Sequence, residues 1–185
     1  MVLEKKIDSS NINKILESNN FNENLDLFSL DIDGIDYWII KELPENFAKI
    51  AVIEFNPNFG SSAKVTVPNI KEFDRSAYHY SNLCFGASLA AIIQVMYEKN
   101  FVFIGTNQFK CNAFFVNKNY IEMIKVNIPN ENNLDEFVNS YFRESRDKEG
   151  NLNYLNKKNR LEKIKDCEVI DLNSGIDKKI KIKDI

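Results

Sequence analysis

Two short apolar runs separated by one helical segment constrain this chain more than anything else in it. The first, Leu25-Asp26-Leu27-Phe28-Ser29-Leu30-Asp31-Ile32-Asp33-Gly34, is interrupted only by small or acidic residues and closes on a glycine, and the second spans residues 49–55. Apolar runs of this length without a helical period mark strands buried in a sheet. Between them Tyr37, Trp38, Ile40, Lys41 and Leu43 suit a short helix stopped by Pro44. Strand, helix and strand in that order make a βαβ unit, so the sequence predicts an α/β fold with a parallel pair at its centre.

The flanking segments fill in around that unit. Ser9-Ser10-Asn11 offers capping side chains to a helix that carries Ile12, Ile15 and Leu16 and runs to about Asn19. Periodicity vanishes over 56–85, where Pro57, Gly60 and Pro68 predict a long loop, a feature that in a compact domain is either disordered or functional. A helix over 86–100 follows, with Leu89, Ile92, Ile93 and Met96 on one face. Two strands come next, over 101–106 and 111–116, joined at hairpin length. Beyond these the pattern predicts polar amphipathic helices over 133–147 and 152–165 around a turn at Gly150, a last strand over 167–172, and a frayed tail over 174–185. The expected organisation is a sheet domain over 1–125, a helical extension over 126–173 and a flexible tail over 174–185.

Composition excludes several function classes. The 185 residues include six glycines, at 34, 60, 86, 105, 150 and 175, too dispersed to form a P-loop or a GxGxxG turn. Cysteines 84, 111 and 167 form no CxxC pair, and one histidine, His79, cannot build a multi-histidine zinc site. A net charge of −3 gives no general attraction for nucleic acid or anionic lipid, the Lys-rich end at Lys178, Lys179, Lys181 and Lys183 being the one basic cluster. No apolar stretch approaches the roughly 20 residues of a membrane span, and the polar N-terminus has no signal-peptide core. The expectation is a reducing, cytoplasmic setting with no nucleic-acid or membrane partner.

Ligands of open α/β sheets bind beyond the carboxyl ends of the parallel strands. Here that rule selects Asp31 and Asp33 after the first strand and Glu54 and Asn56 after the second. Their oxygens are hard donors suited to Mg²⁺, Mn²⁺ or Ca²⁺. Each residue also has a plain structural reading: Asp33-Gly34 as turn chemistry, Asp31 as a helix cap, Glu54 as the partner of a lysine. His79, between Tyr78 and Tyr80 in the long loop, is a candidate general base. Tyr37 and Trp38 could stack on a ligand or pack in the core. The run Arg143-Glu144-Ser145-Arg146-Asp147 reads as an anion clamp or as a solvated charged face.

Taken in order, 26–38, Val52-Ile53-Glu54-Phe55-Asn56, Val65-Thr66-Val67-Pro68, Phe85-Gly86-Ala87-Ser88-Leu89, Asn112-Ala113-Phe114-Phe115-Val116 and Phe142-Arg143-Glu144-Ser145-Arg146-Asp147 resemble the FkbM-like S-adenosylmethionine-dependent methyltransferases, over about residues 9–172. The resemblance implies the C-terminal half of a Rossmann-like methyltransferase sheet, with parallel strands, a terminal β-hairpin and a helical C-terminal extension. It implies O-methyl transfer from S-adenosylmethionine to a small hydroxyl or sugar-type acceptor. Asp31 and His79 would be catalytic, Asp33 and Trp38 cofactor-binding, and Asp31, Glu54 and Asn56 ligands of Mg²⁺ or another divalent cation. The family's glycine-rich cofactor loop, and the acid that follows its second strand, have no counterpart among these residues. A complementing chain or a second copy is therefore expected to pair with the exposed strand over 25–32. Two other classes remain open: a non-catalytic subunit or remnant acting as a binding module, and a metal-dependent hydrolase using Asp31, Asp33 and Glu54.

Overall fold

The computed structural model describes residues 3–21, 25–125, 127–131, 133–140, 144–173 and 177–185. In chain order its regular elements are α1 (Ile12–Ser18), β1 (Leu25–Leu30), α2 (Asp36–Glu42), β2 (Ala48–Glu54), β3 (Val65–Thr66), α3 (Arg75–Tyr78), α4 (Leu89–Glu98), β4 (Phe101–Thr106), β5 (Asn112–Asn117), α5 (Asp135–Val138), β6 (Ser145–Arg146), β7 (Leu152–Asn153), α6 (Lys157–Ile164), β8 (Glu168–Asp171) and β9 (Lys178–Lys181). The fold is α/β. β1 and β2 pair in parallel across α2, with Leu27 opposite Ile50 and Leu30 opposite Ile53. The β4–β5 hairpin lies against the far side of β2, giving a mixed sheet in the order β1-β2-β5-β4 with β5 antiparallel to both of its neighbours.

One face of that sheet carries the core. Leu30, Ala51, Ile53, Ala113, Phe115, Phe101 and Phe103 are buried together with Leu89, Ile92, Val95 and Met96 of α4 and Ile39 and Ile40 of α2. Each large apolar side chain removed from water there contributes about 1.5–3 kcal/mol. The Ser88 hydroxyl caps α4 by accepting from the Ala91 amide, which fixes where the helix begins. The opposite face is more open. Leu27 is 58% exposed and Ile50 41% exposed, so β1 is a half-covered edge strand and not the fully buried strand that its composition predicts.

The structure departs from expectation mainly in short or charged segments. Ser9, Ser10 and Asn11 do not cap α1: Asn11 accepts from the Asp8 amide, and Asp8 accepts from Ser10, forming a turn before the helix. The long loop holds β3 and α3, and β3 pairs with β8 in a second, antiparallel sheet ordered β3-β8-β9. In place of a helix over 133–147 stand the single turn α5 and the β6–β7 hairpin. There Asp147 accepts from the amides of Glu149 and Asn151, and Gly150 takes φ +86°, a turn that ends helical propagation. The expected tail is ordered over 177–185, where β9 pairs with β8, Lys179 bridges Glu168 at 3.2 Å and Ile182 is buried. The rest of the expected tail, 174–176, and Phe142 and Arg143 of the charged run lie outside the described residues. Among the described residues no helix is long and apolar enough to cross a membrane.

The turn between β1 and α2 is organised by Asp36. Its carboxyl group is fully buried and accepts from the Ile32 amide at 3.2 Å and the Gly34 amide at 3.1 Å. Burial pushes this carboxyl up to about 6, against the opposing pull of those two amides. Because the folded-state value lies above the unfolded one, the folded chain holds the extra proton between about pH 4 and pH 6. Stability from this group therefore falls as pH rises through that window, on the order of 3 kcal/mol in total. Asp36→Asn removes the titration. Urea unfolding is expected to show the stability of Asp36→Asn relative to the parent rising by about that amount between pH 4 and pH 7; an unchanged difference would mean that Asp36 does not titrate in this way.

Candidate functional site

Parallel pairing sets the ends of β1 and β2 side by side, and the residues just past them are acidic. Asp33 sits in the left-handed region at φ +54°, which aspartate tolerates better than most residues. Gly34 follows, where a Cβ would lie 2.9 Å from the Phe73 ring. This turn and the end of β2 bring carboxylate oxygens of Asp31, Asp33 and Glu54 within 4.8 Å of one another. Glu54 is buried at the base, Asp33 is partly exposed and Asp31 faces solvent. Arg75, the first residue of α3, pairs with Asp33 and lays its guanidinium 5.3 Å from the centre of the Phe85 ring. Asp74 caps α3 by accepting from the amides of Ser76 and Ala77, so the cap that starts the helix also places Arg75.

Three carboxyl groups against one guanidinium, all offering oxygen, have the donor chemistry of a hard divalent cation. Asn56, expected as a further ligand, is instead a buried clamp. Its amide nitrogen donates to the carbonyls of Leu83 at 2.9 Å and Phe85 at 2.8 Å, and its side-chain oxygen accepts from the Asn58 amide at 3.0 Å. Every polar atom of that side chain is engaged in holding the 83–85 segment against the end of β2.

The two residues expected to meet S-adenosylmethionine both have partners within the fold. Trp38 is a core residue: it is 8% exposed, donates from Nε1 to the Val67 carbonyl at 2.8 Å and packs edge-on against Tyr37. Asp33 is engaged with Arg75 in the acidic cluster. No glycine-rich turn occurs in the sequence to cradle the cofactor. His79 lies in a different cleft from the carboxylates, one lined by Tyr78, Lys163, Asp166, Cys167 and Glu168, with its Nδ1 2.7 Å from the Ser81 hydroxyl. In the charged run, Arg146 pairs with Glu144 at 3.1 Å and donates to the Gly150 carbonyl, so its guanidinium closes the local hairpin.

Sequence reasoning missed Asp36 and Arg75 in its role beside Asp33. An acid in the first turn of a helix, followed directly by four apolar or aromatic residues, was a readable signal for Asp36. Comparison of the chain with protein-family models, with curated proteins and with solved structures gives no match.

Substitution separates a clamp from a ligand. Asn56→Ala leaves two buried carbonyls and an amide without this partner and is expected to cost on the order of 3 kcal/mol in urea unfolding. A loss below about 0.5 kcal/mol, the range of an ordinary surface substitution, would show that the clamp holds nothing.

Proposed function

We propose that this chain is the acceptor-binding half of an S-adenosylmethionine-dependent O-methyltransferase domain, acting on a small hydroxyl or sugar-type acceptor beside a divalent cation. The observation that carries the reading is the convergence of Asp31, Asp33 and Glu54 at the carboxyl ends of a parallel strand pair. It is supported by the sheet order, in which an antiparallel hairpin follows two parallel strands, as the FkbM-like resemblance implies for the second half of the domain. A bound cation would supply Lewis acidity, orienting an acceptor hydroxyl and lowering its proton affinity.

The chain's own residues divide the work. Glu54 anchors the cation from the buried floor, Asp31 holds it at the solvent-facing mouth, and Arg75 fixes the orientation of Asp33 while limiting the negative charge of the cluster. The methyl donor would be held by residues outside these 185. The outer edge of β1 pairs with no strand among the described residues, and its exposed Leu27 is where a complementing chain or second copy would add.

Calorimetric titration with Mn²⁺ tests the cluster. One saturable site is expected, weakened about tenfold or more by Asp31→Asn and by Glu54→Gln with circular dichroism unchanged; unaltered affinity in both variants refutes the assignment. S-adenosylmethionine is expected to give no heat with the chain alone, with or without Mg²⁺, and micromolar binding would contradict the incomplete cofactor site. Sedimentation is expected to show concentration-dependent association that Leu27→Lys abolishes, whereas a parent chain monomeric at all concentrations would remove the role given to the β1 edge.

A further inference from the structure

Just beyond the Asn56 clamp, a second side-chain amide is buried with its acceptor unused. Asn58 is 1% exposed; its Nδ2 reaches the Leu83 carbonyl at 3.5 Å, while its Oδ1 accepts from no group among the described residues. The Leu83 carbonyl also fixes which way the amide faces, because exchanging its oxygen and nitrogen would set two acceptors against each other. A buried acceptor without a donor is costly, so this oxygen calls for a partner from outside the fold.

Asn58 lines a cavity of about 570 Å³, a volume in the range of small-molecule sites. Its walls come from three elements. The Asn58 amide donates to Asn56 Oδ1 at 3.0 Å, which shapes Pro57–Phe59 into one 3₁₀ turn, and that turn packs against α6. The turn Ile182–Asp184 is seated beside the end of α6 by the Ile182 amide, which donates to the Cys167 carbonyl at 3.1 Å, and by the Lys183 amide, which donates to the Lys165 carbonyl at 2.9 Å. Phe59, Leu161 and Ile182 make the middle of the cavity apolar, and no residue of the acidic cluster lines it.

The polar groups are divided by depth. Asn58 is buried, whereas Lys158, Lys165 and Lys183 are exposed and share the lining with a single acid, Glu162. Lys165 pairs with Glu162, and Lys183 pairs with Asp166 at 2.9 Å, so Lys158 is the lining cation without an ion pair among the described residues. Three lysines against one glutamate favour an anion at the mouth and disfavour an ammonium group anywhere inside, which makes a neutral hydroxyl the better donor for Asn58. We infer that this cavity binds an apolar-bodied organic anion carrying a hydroxyl at the end remote from its charge. The hydroxyl donates to Asn58 Oδ1, the body lies against Phe59, Leu161 and Ile182, and the anionic head meets Lys158.

Fluorescence titration of the full chain with three compounds tests this, in EDTA so that the outcome is independent of the cation site. 6-Hydroxy-2-naphthoate carries both end groups, 2-naphthoate lacks the hydroxyl and 2-naphthol lacks the carboxylate. The first is expected to saturate one site, with each of the other two binding about tenfold more weakly. Lys158→Glu, a change at an exposed position, should weaken 6-hydroxy-2-naphthoate about tenfold and leave 2-naphthol unaffected. Asn58→Ala should bring 6-hydroxy-2-naphthoate down to the affinity of 2-naphthoate, and Leu161→Trp, which fills the cavity, should abolish binding of all three. Equal affinity for the three compounds would show that only apolar contact is being read and overturns the site. So does 6-hydroxy-2-naphthoate binding that neither Lys158→Glu nor Leu161→Trp weakens, or an absence of saturation up to about 1 mM. The compound series on the unmutated chain decides the matter even where a buried variant fails to fold.

Discussion

The buried carboxyl of Asp36 is the constraint on which the candidate site depends. By accepting from the amides of Ile32 and Gly34 it bends the chain after β1 into the turn that presents Asp31 and Asp33, and it does so from the first residue of α2. Parallel pairing then supplies the other half, because it sets the end of β2, and so Glu54, beside that turn. Burying a carboxyl group is costly, and here Asp31 adds to the cost. A cluster of three further carboxyl groups above it is a concentration of like charge that Arg75 offsets only in part. Positive charge seated among those oxygens would relieve the same repulsion, which is the physical link between the strained turn and the proposed cation.

The two sheets share the work of holding the long loop that surrounds the site. Asn56 grips 83–85 from the end of β2, Trp38 reaches from α2 to the Val67 carbonyl, and β3 fastens the loop to β8. A segment without sequence periodicity is thereby ordered by side-chain to backbone bonds together with the two-residue β3 and the single turn α3.

The parallel unit was legible because its apolar runs are long relative to their interruptions, and the acids at its ends were legible because turn residues follow each run directly. The hairpin over Phe101–Thr106 and Asn112–Asn117 was readable for the same reason. Much of the rest depends on contacts between distant residues. β3 is two residues long, too short for any period, and exists because β8 pairs with it. The lysines of β9 hid a strand whose inward position is Ile180 and which leads directly to the buried Ile182, since charge suggested a tail where alternation suggested pairing. Asn56 stood where a ligand would stand, and only its three bonds to the loop reveal a clamp. Trp38 was open between stacking and packing until the Val67 carbonyl was seen to claim its indole nitrogen.

The central claim is that the turn held by Asp36 and the end of β2 build one cation site. Anomalous diffraction from crystals of the chain grown with Mn²⁺ tests it most directly. A single strong peak is expected within about 2.0–2.4 Å of carboxylate oxygens from Asp31, Asp33 and Glu54. An ordered turn with no anomalous density among those three residues, or with the manganese bound elsewhere on the chain, would contradict it.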